Sequence, residues 1–211
     1  MALETGSGAS ALEPEPNLLV ACALRKEAST LGRLLPGLSI FPTGFGARRT
    51  KKALETLLSQ RPFTRLLLFT GAAGALDPTV RMGEVICPES WRTADGARLQ
   101  LSAHLLSELR LGGWEATGAA LTVSRPALRA ATRRRIFQET GARICDMEAA
   151  EALRTAERHG VPALAVKVVT DTEDSSVFAF WSSFDQNMKL LAERLACLWP
   201  TLVGFVRREG Q

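Results

Sequence analysis

Arg143 to Asp174 reads RICDMEAAEALRTAERHGVPALAVKVVTDTED, and this stretch decides the fold. Ala149 to Glu157 is made almost wholly of strong helix formers, and His159-Gly160 supplies a stop that Pro162 reinforces. Val161 to Val169 then runs nearly continuously apolar, the pattern of a strand covered on both faces, and Thr170-Asp171 falls where such a strand ends. A helix feeding a strand of this kind is a unit of α/β sheets, whose ligands collect at the carboxyl ends of the strands. Acids flank the unit: Asp146 and Glu148 precede the helix, and Asp171 closes the strand. Singly, each has a structural explanation, Glu148 as a charge on the first helical turn and Asp171 as the opener of a turn.

Working outward, Asn17 to Leu24 reads as a first strand, followed by Arg25-Lys26-Glu27 and a helix through Leu35. Ser39 to Pro42 is short and extended, and Thr43-Gly44-Phe45-Gly46 leads into a helix from Arg48 to Gln60. Arg65 to Phe69 is a Leu-rich strand that ends in a small-residue loop, Thr70 to Gly74, where backbone can approach a ligand closely. Gly83 to Cys87 predicts a strand, Leu99 to Leu111 a helix, Trp114 to Val123 one or two strands, and Pro126 to Thr140 a basic helix. Phe184 to Leu198 predicts the last helix, with Leu190, Leu191, Leu195 and Leu198 spaced to face a core. The alternation predicts an α/β fold, a three-layer α/β/α sandwich around a mixed, mostly parallel sheet. Residues 17–206 are expected to form a single domain, and residues 1–16, rich in Gly, Ser, Ala, Glu and Pro, a disordered leader.

Composition removes several function classes. No apolar run approaches the roughly 20 residues that span a bilayer, so a cytoplasmic protein without a membrane partner is expected. Cys22, Cys87, Cys145 and Cys197 are scattered singly, which favours reduced thiols, and two His without ligand spacing give no metal site. The net charge of +4 includes a cluster at Arg129, Arg133, Arg134 and Arg135 and another at Arg48, Arg49, Lys51 and Lys52. The first alternates with Ala130, Ala131, Ile136 and Phe137, as a solvated helix face over a core does, so no nucleic acid partner is expected. The loops at Gly44–Gly46 and Gly71–Gly74 match neither a dinucleotide fingerprint nor a nucleoside triphosphate loop, and no cofactor is expected.

Four segments, in order and spacing, resemble the purine nucleoside phosphorylase and nucleosidase superfamily, in particular the branch containing methylthioadenosine/S-adenosylhomocysteine nucleosidase. Val20 to Glu27 resembles the family's opening strand, and Thr43-Gly44-Phe45-Gly46 its Ser/Thr-Gly-x-Gly turn. Phe69 to Asp77, followed by Arg81-Met82-Gly83-Glu84-Val85, resembles its Gly-x-Ala-Gly-Gly loop and the strand after it. Asp146-Met147-Glu148 resembles its ribose motif and Val168-Val169-Thr170-Asp171 its strand ending in Ser-Asp, so the resemblance covers roughly residues 18 to 200.

The resemblance implies cleavage of the N-glycosidic bond of a small-molecule purine nucleoside. Breaking that bond builds positive charge on the sugar and negative charge on the departing base. Asp171 would be the general acid directed at purine N7, which calls for a desolvated pocket that lets it hold a proton near neutral pH. Glu148 would accept hydrogen bonds from the ribose hydroxyls and favour the cationic sugar, Met147 would pack beneath the ring, and Glu27 would orient an attacking water. Gly71, Ala72 and Ala73 would border the substrate, and Phe180, with Phe178 and Trp181, would close over it.

Water is favoured over phosphate as nucleophile. Related phosphorylases carry an Arg two residues before the loop glycine and a Ser after it, where this chain has Phe69 and Ala72. Arg25, Arg48 and Arg49 lie near the two loops and could supply cations from another side, so a phosphorylase stays open. Val123-Ser124-Arg125-Pro126-Ala127 replaces the family's base-stacking Gly-Asp-x-Phe, and Leu121 to Glu148 is similar to hopanoid-associated phosphorylase-like proteins acting on an adenosyl-lipid nucleoside. Futalosine hydrolase-like activity and a nucleoside-binding protein without turnover are further alternatives. The resemblance also implies a homodimer or higher homo-oligomer.

Overall fold

Consecutive residues of β1 (Leu18–Cys22) point to opposite sides of one sheet, as the two-residue period of a strand requires. Leu18 and Val20 pack with Leu31 and Leu35 of the following helix, whereas Leu19 and Ala21 pack with Leu54 and Leu58 of the next one. Both sides are therefore apolar, and both are covered. The computed structural model describes residues 12–93, 95–173 and 177–209, with the backbone alone for 177–181. The side chains of Phe178, Phe180 and Trp181, expected over the site, thus lie outside the described part.

The chain runs β1, α1 (Arg25–Leu34), β2 (Ile40–Pro42), α2 (Ala47–Gln60), β3 (Leu66–Ala75), β4 (Val85–Ile86), β5 (Ser90–Arg92) and β6 (Arg98–Gln100). It continues with α3 (Ala103–Leu111), β7 (Ala119–Thr122), α4 (Ala130–Thr140), β8 (Ala142–Asp146), α5 (Ala149–Arg158), β9 (Ala163–Asp171) and α6 (Val177–Arg208). The sheet follows the order β2-β1-β3-β8-β7-β5-β6, with β9 paired to β3 and β4 to β9. Pairings of β1 with β2 and β3, β3 with β9, and β7 with β5 and β8 are parallel; β3 with β8, β4 with β9 and β5 with β6 are antiparallel. Residues from α1, α3 and α6 build the core on one face, and α2 and α5 build it on the other. This is the expected three-layer sandwich around a mixed, mostly parallel sheet.

Four local readings are corrected. Thr70–Gly74 is not a loop: β3 runs on through it, because its backbone continues the ladder with β9 and then joins β8 at Gly74 and Ala75. The register shifts between Ala73 and Gly74, a bulge of the kind that re-aims a strand beside a site. Leu99 belongs to β6 rather than to a helix, which starts only after Ser102, whose Oγ accepts the Leu105 N–H at 3.2 Å. The last helix extends well past Leu198 and through Pro200, since Leu202, Phe205 and Val206 bury themselves in the core. Residues 12–16, expected within the leader, are fastened to the fold: Leu12 N–H donates to Pro36 O at 3.2 Å, and Trp199 Nε1 to Glu13 O at 3.0 Å.

Among the described residues no helix is long and apolar enough to cross a membrane. Cys22, Cys87 and Cys145 are buried free thiols, and Cys197 is an exposed one.

Leu54 is wholly buried between α2 and the sheet, so Leu54→Ala should cost about 2–5 kcal/mol in urea unfolding. Phe63→Ser, at a largely exposed position, should stay within about 0.5 kcal/mol in the same measurement.

Candidate active site

The carboxyl ends of β1, β3, β8 and β9 meet around a cavity of about 310 Å³. Glu27, Ala72, Ala73, Met147, Glu148 and Asp171 all line it. Other segments supply its remaining walls, among them Phe45 after β2, Val123 after β7, and Pro126 to Leu128 before α4. Gly71 lies behind the wall rather than in it. Arg25, Arg48 and Arg49 do not line the cavity.

Glu27 stands in the first turn of α1 and is almost wholly buried. Its Oε2 reaches back to the Leu24 N–H at 2.9 Å, and its Oε1 accepts the Ala72 N–H at 2.8 Å. This second bond explains the small residues on β3. Gly71 has φ +131°, and a Cβ there would come within 2.7 Å of Glu27 Oε1. Any other residue would push the carboxylate away.

Glu148 opens α5 but does not cap it. Asp146 does: its carboxylate accepts the Ala149 N–H at 2.9 Å and the Thr122 hydroxyl at 2.8 Å. Freed from capping, Glu148 extends across the cavity and accepts the Gly46 N–H at 2.7 Å, so the Thr43–Gly46 turn reads as the anchor of an acid rather than a phosphate cradle. Burial pushes the Glu148 carboxyl up to about 7, helped by Asp146 and opposed by Lys167 and the Gly46 N–H. Burial likewise raises Glu27, with Lys167 and the two backbone N–H groups working against it.

Two cations escaped the sequence reading. Lys167, inside the apolar run of β9, is fully buried, with Nζ 2.9 Å from Asp146 Oδ2 and 4.5 Å from the centre of the Phe69 ring. Burial alone would lower its pKa, but Asp146, Glu27 and Glu148 together raise it, so it stays charged. Phe69, where related phosphorylases have Arg, is thus the wall under this ammonium. Arg133, assigned to a solvated helix face, is instead buried and lines the cavity. Its guanidinium pairs with the Asp171 carboxylate and donates from Nε to Ala127 O at 2.6 Å and from Nη1 to Ala75 O at 3.0 Å. Those carbonyl acceptors explain why this arginine turns inward while Arg134 and Arg135 stay exposed. Asp171, expected in a desolvated pocket, is paired with this guanidinium and keeps a side chain 21% exposed.

The fold is an α/β/α sandwich that gathers four carboxylic acids around one cavity at the edge of its sheet. A family model described as the phosphorylase superfamily matches residues 37–203, more than half of the chain, and the chain belongs to that superfamily. The futalosine hydrolase of Helicobacter pylori strain 26695 has a similar structure (TM-score 0.76, 13% identity, covering 87% of this chain and 97% of that one). So do the 5′-methylthioadenosine/S-adenosylhomocysteine nucleosidases of Helicobacter pylori (0.75, 13%, 88% and 97%) and Campylobacter jejuni (0.71, 15%, 85% and 96%). At these identities the likeness establishes the fold alone. No curated protein matches the chain in sequence.

Two outcomes test this geometry. Gly71→Ala should destabilise the protein by about 1–3 kcal/mol in denaturant unfolding, because it adds strain at positive φ and displaces Glu27. A carboxyl raised from 4.5 to about 7 on folding costs nothing below pH 4.5 and its full penalty above pH 7. Glu148→Gln removes that penalty, so the difference in Tm between variant and parent should be more positive at pH 8.5 than at pH 4.5, by roughly 5 °C. An unchanged difference would place Glu148 in water.

Proposed function

We propose that the chain hydrolyses the N-glycosidic bond of a purine nucleoside, and the observation that carries this is the convergence of Glu27, Glu148 and Asp171 on one cavity. Each acid meets a different part of the reaction. Glu148 holds one oxygen on the Gly46 N–H and turns the rest of its carboxylate to the ribose hydroxyls, where its charge favours the cationic sugar. Met147 packs beneath the ring. Glu27, raised by burial and held by two backbone N–H groups, takes the proton of an attacking water. Asp171 faces the departing base, and the resemblance gives it proton delivery to N7.

The balance of charge favours water over phosphate. Among the described residues lining the cavity, Glu27, Asp146, Glu148 and Asp171 are carboxylic acids, and Arg133, the one cation, is bound to Asp171. Lys167 is bound to Asp146. A phosphate dianion beside Ala72 would face buried carboxylates, and among the described residues lining the cavity the one cation, Arg133, is already paired, a cost that water does not carry. The fold shared with futalosine hydrolase and the nucleosidases supports the same choice. Exposed Phe45 and Leu128 at the cavity mouth support closure by a second copy of the chain, and a cytoplasmic homo-oligomer completes the reading.

Purified protein incubated with methylthioadenosine, adenosylhomocysteine, inosine and futalosine should release base from at least one, at a rate that added phosphate does not raise. No release from any would refute the reading, and release only with phosphate would refute hydrolysis. Glu27→Gln and Asp171→Asn should each lower kcat by roughly 100-fold or more while leaving nucleoside affinity within about 10-fold. Ionised Glu27 and Glu148 are required, so kcat/KM should fall as pH drops through about 7.

A further inference from the structure

Arg133 is the one cation among the described residues lining the cavity, and its placement carries information about the base. A guanidinium has five N–H groups in a fixed fork. Nε donates to Ala127 O at 2.6 Å, the two N–H groups of Nη1 go to Ala75 O at 3.0 Å and the Asp171 carbonyl at 3.2 Å, and Nη2 donates to Asp171 Oδ2. Four donors are accounted for. The second N–H of Nη2 has no acceptor among the described residues, and Arg133 lines the cavity through a side chain only 4% exposed. Gly74 makes room for the pair: a Cβ there would fall 3.2 Å from Nη1 and 2.9 Å from Asp171 Oδ2. On the acid, Oδ2 is taken by the guanidinium and Oδ1 accepts the Thr170 hydroxyl at 3.0 Å. What this corner offers a base is a fixed, charged donor beside a carboxyl group whose two oxygens each already accept one hydrogen bond.

We infer that Arg133 is a specificity-determining residue that selects a 6-oxopurine nucleoside over a 6-aminopurine one, an inference that rests on the nucleosidase reading. A 6-oxopurine presents two acceptors, N7 and O6, along the edge that faces Asp171 and Arg133. A 6-aminopurine presents an N–H donor in place of O6, which sets donor against donor and leaves a buried guanidinium N–H unpaired. The same contact assists departure. The electron pair of the C1′–N9 bond passes to the base and spreads over N7 and O6, where the guanidinium balances it in a water-poor site. Water adds its oxygen to C1′ and gives one proton to Glu27, which returns it to solvent; N7 of the departing base takes its proton from Asp171, in the role proposed for it, and Asp171 regains one from solvent.

The test compares kcat/KM for inosine with adenosine, and for 5′-methylthioinosine with 5′-methylthioadenosine, so that only the substituent at C6 differs within a pair. The 6-oxo member of each pair should be favoured by about 10-fold or more, a discrimination typical of a site that hydrogen-bonds a substrate group. Equal rates or a preference for the 6-amino member would overturn the inference while leaving the nucleosidase reading intact. Release from none of the four, with adenosylhomocysteine and futalosine also left intact, would remove that reading and the inference with it; if cleavage is confined to those two, the affinities for the free bases decide. Arg133→Met keeps length and removes the donors, and it should bring the ratio within about 3-fold of unity; an unchanged ratio would contradict the assignment. Should that variant fail to fold, affinity for the free bases decides without turnover: hypoxanthine should bind the parent protein about 10-fold tighter than adenine by calorimetry, and equal affinities would count against Arg133.

Discussion

A single ammonium buried under the sheet edge sets the conditions for the rest of the site. Lys167 projects from the middle of β9, wholly removed from water, and meets Asp146 at 2.9 Å over the face of Phe69. An isolated charge at such a depth would be expelled or neutralised; the pair is tolerable because each partner compensates the other. Asp146 in turn binds the first free N–H groups of α5 and the hydroxyl of Thr122 on β7. Ribose recognition, as proposed, depends on that arrangement, because it releases Glu148 and Met147 from capping and aims them into the cavity. The positive charge also offsets the burial of Glu27 and Glu148, whose carboxyls it draws back toward the ionised form.

A second ion pair balances the opposite wall. Arg133 and Asp171 meet where the bulge in β3 brings Gly74 opposite Asp171. The two pairs divide the cavity by task. Around Lys167 lie the acids proposed to serve sugar and water, and around Arg133 lies the corner proposed to serve the base. Backbone between them is kept small by contact: Gly71 makes room for Glu27, and Gly74 for Asp171 and Arg133. The glycine-rich segment is therefore shaped by the acids behind it.

Much of this is legible in the sequence. Two-sided apolar strands alternating with helices gave the layered fold, since that periodicity follows directly from burial on both faces. Glu27, Met147, Glu148 and Asp171, named from motif order, do share one cavity. The cations were harder to see. Lys167 is a single charge within VPALAVKVVTD, and a strand read for its apolar average hides it; a lysine in a two-face-buried strand is itself a signal for a buried acid. Arg133 was grouped with its neighbours by charge, whereas the helical spacing of Ala130, Arg133 and Phe137 puts it on the inward stripe. Composition alone makes Thr70 to Gly74 read as a loop, because strand pairing with β9 is a non-local fact that local propensity cannot carry.

The dependence of the site on Lys167 is open to direct measurement by a double-mutant cycle in urea. Lys167→Met alone should cost about 3–5 kcal/mol, since it strands Asp146 without its partner, and adding Asp146→Asn should recover a large part of that loss. Additive effects of the two changes, or a Lys167→Met protein as stable as its parent, would contradict the claim that this ion pair underlies the architecture of the site.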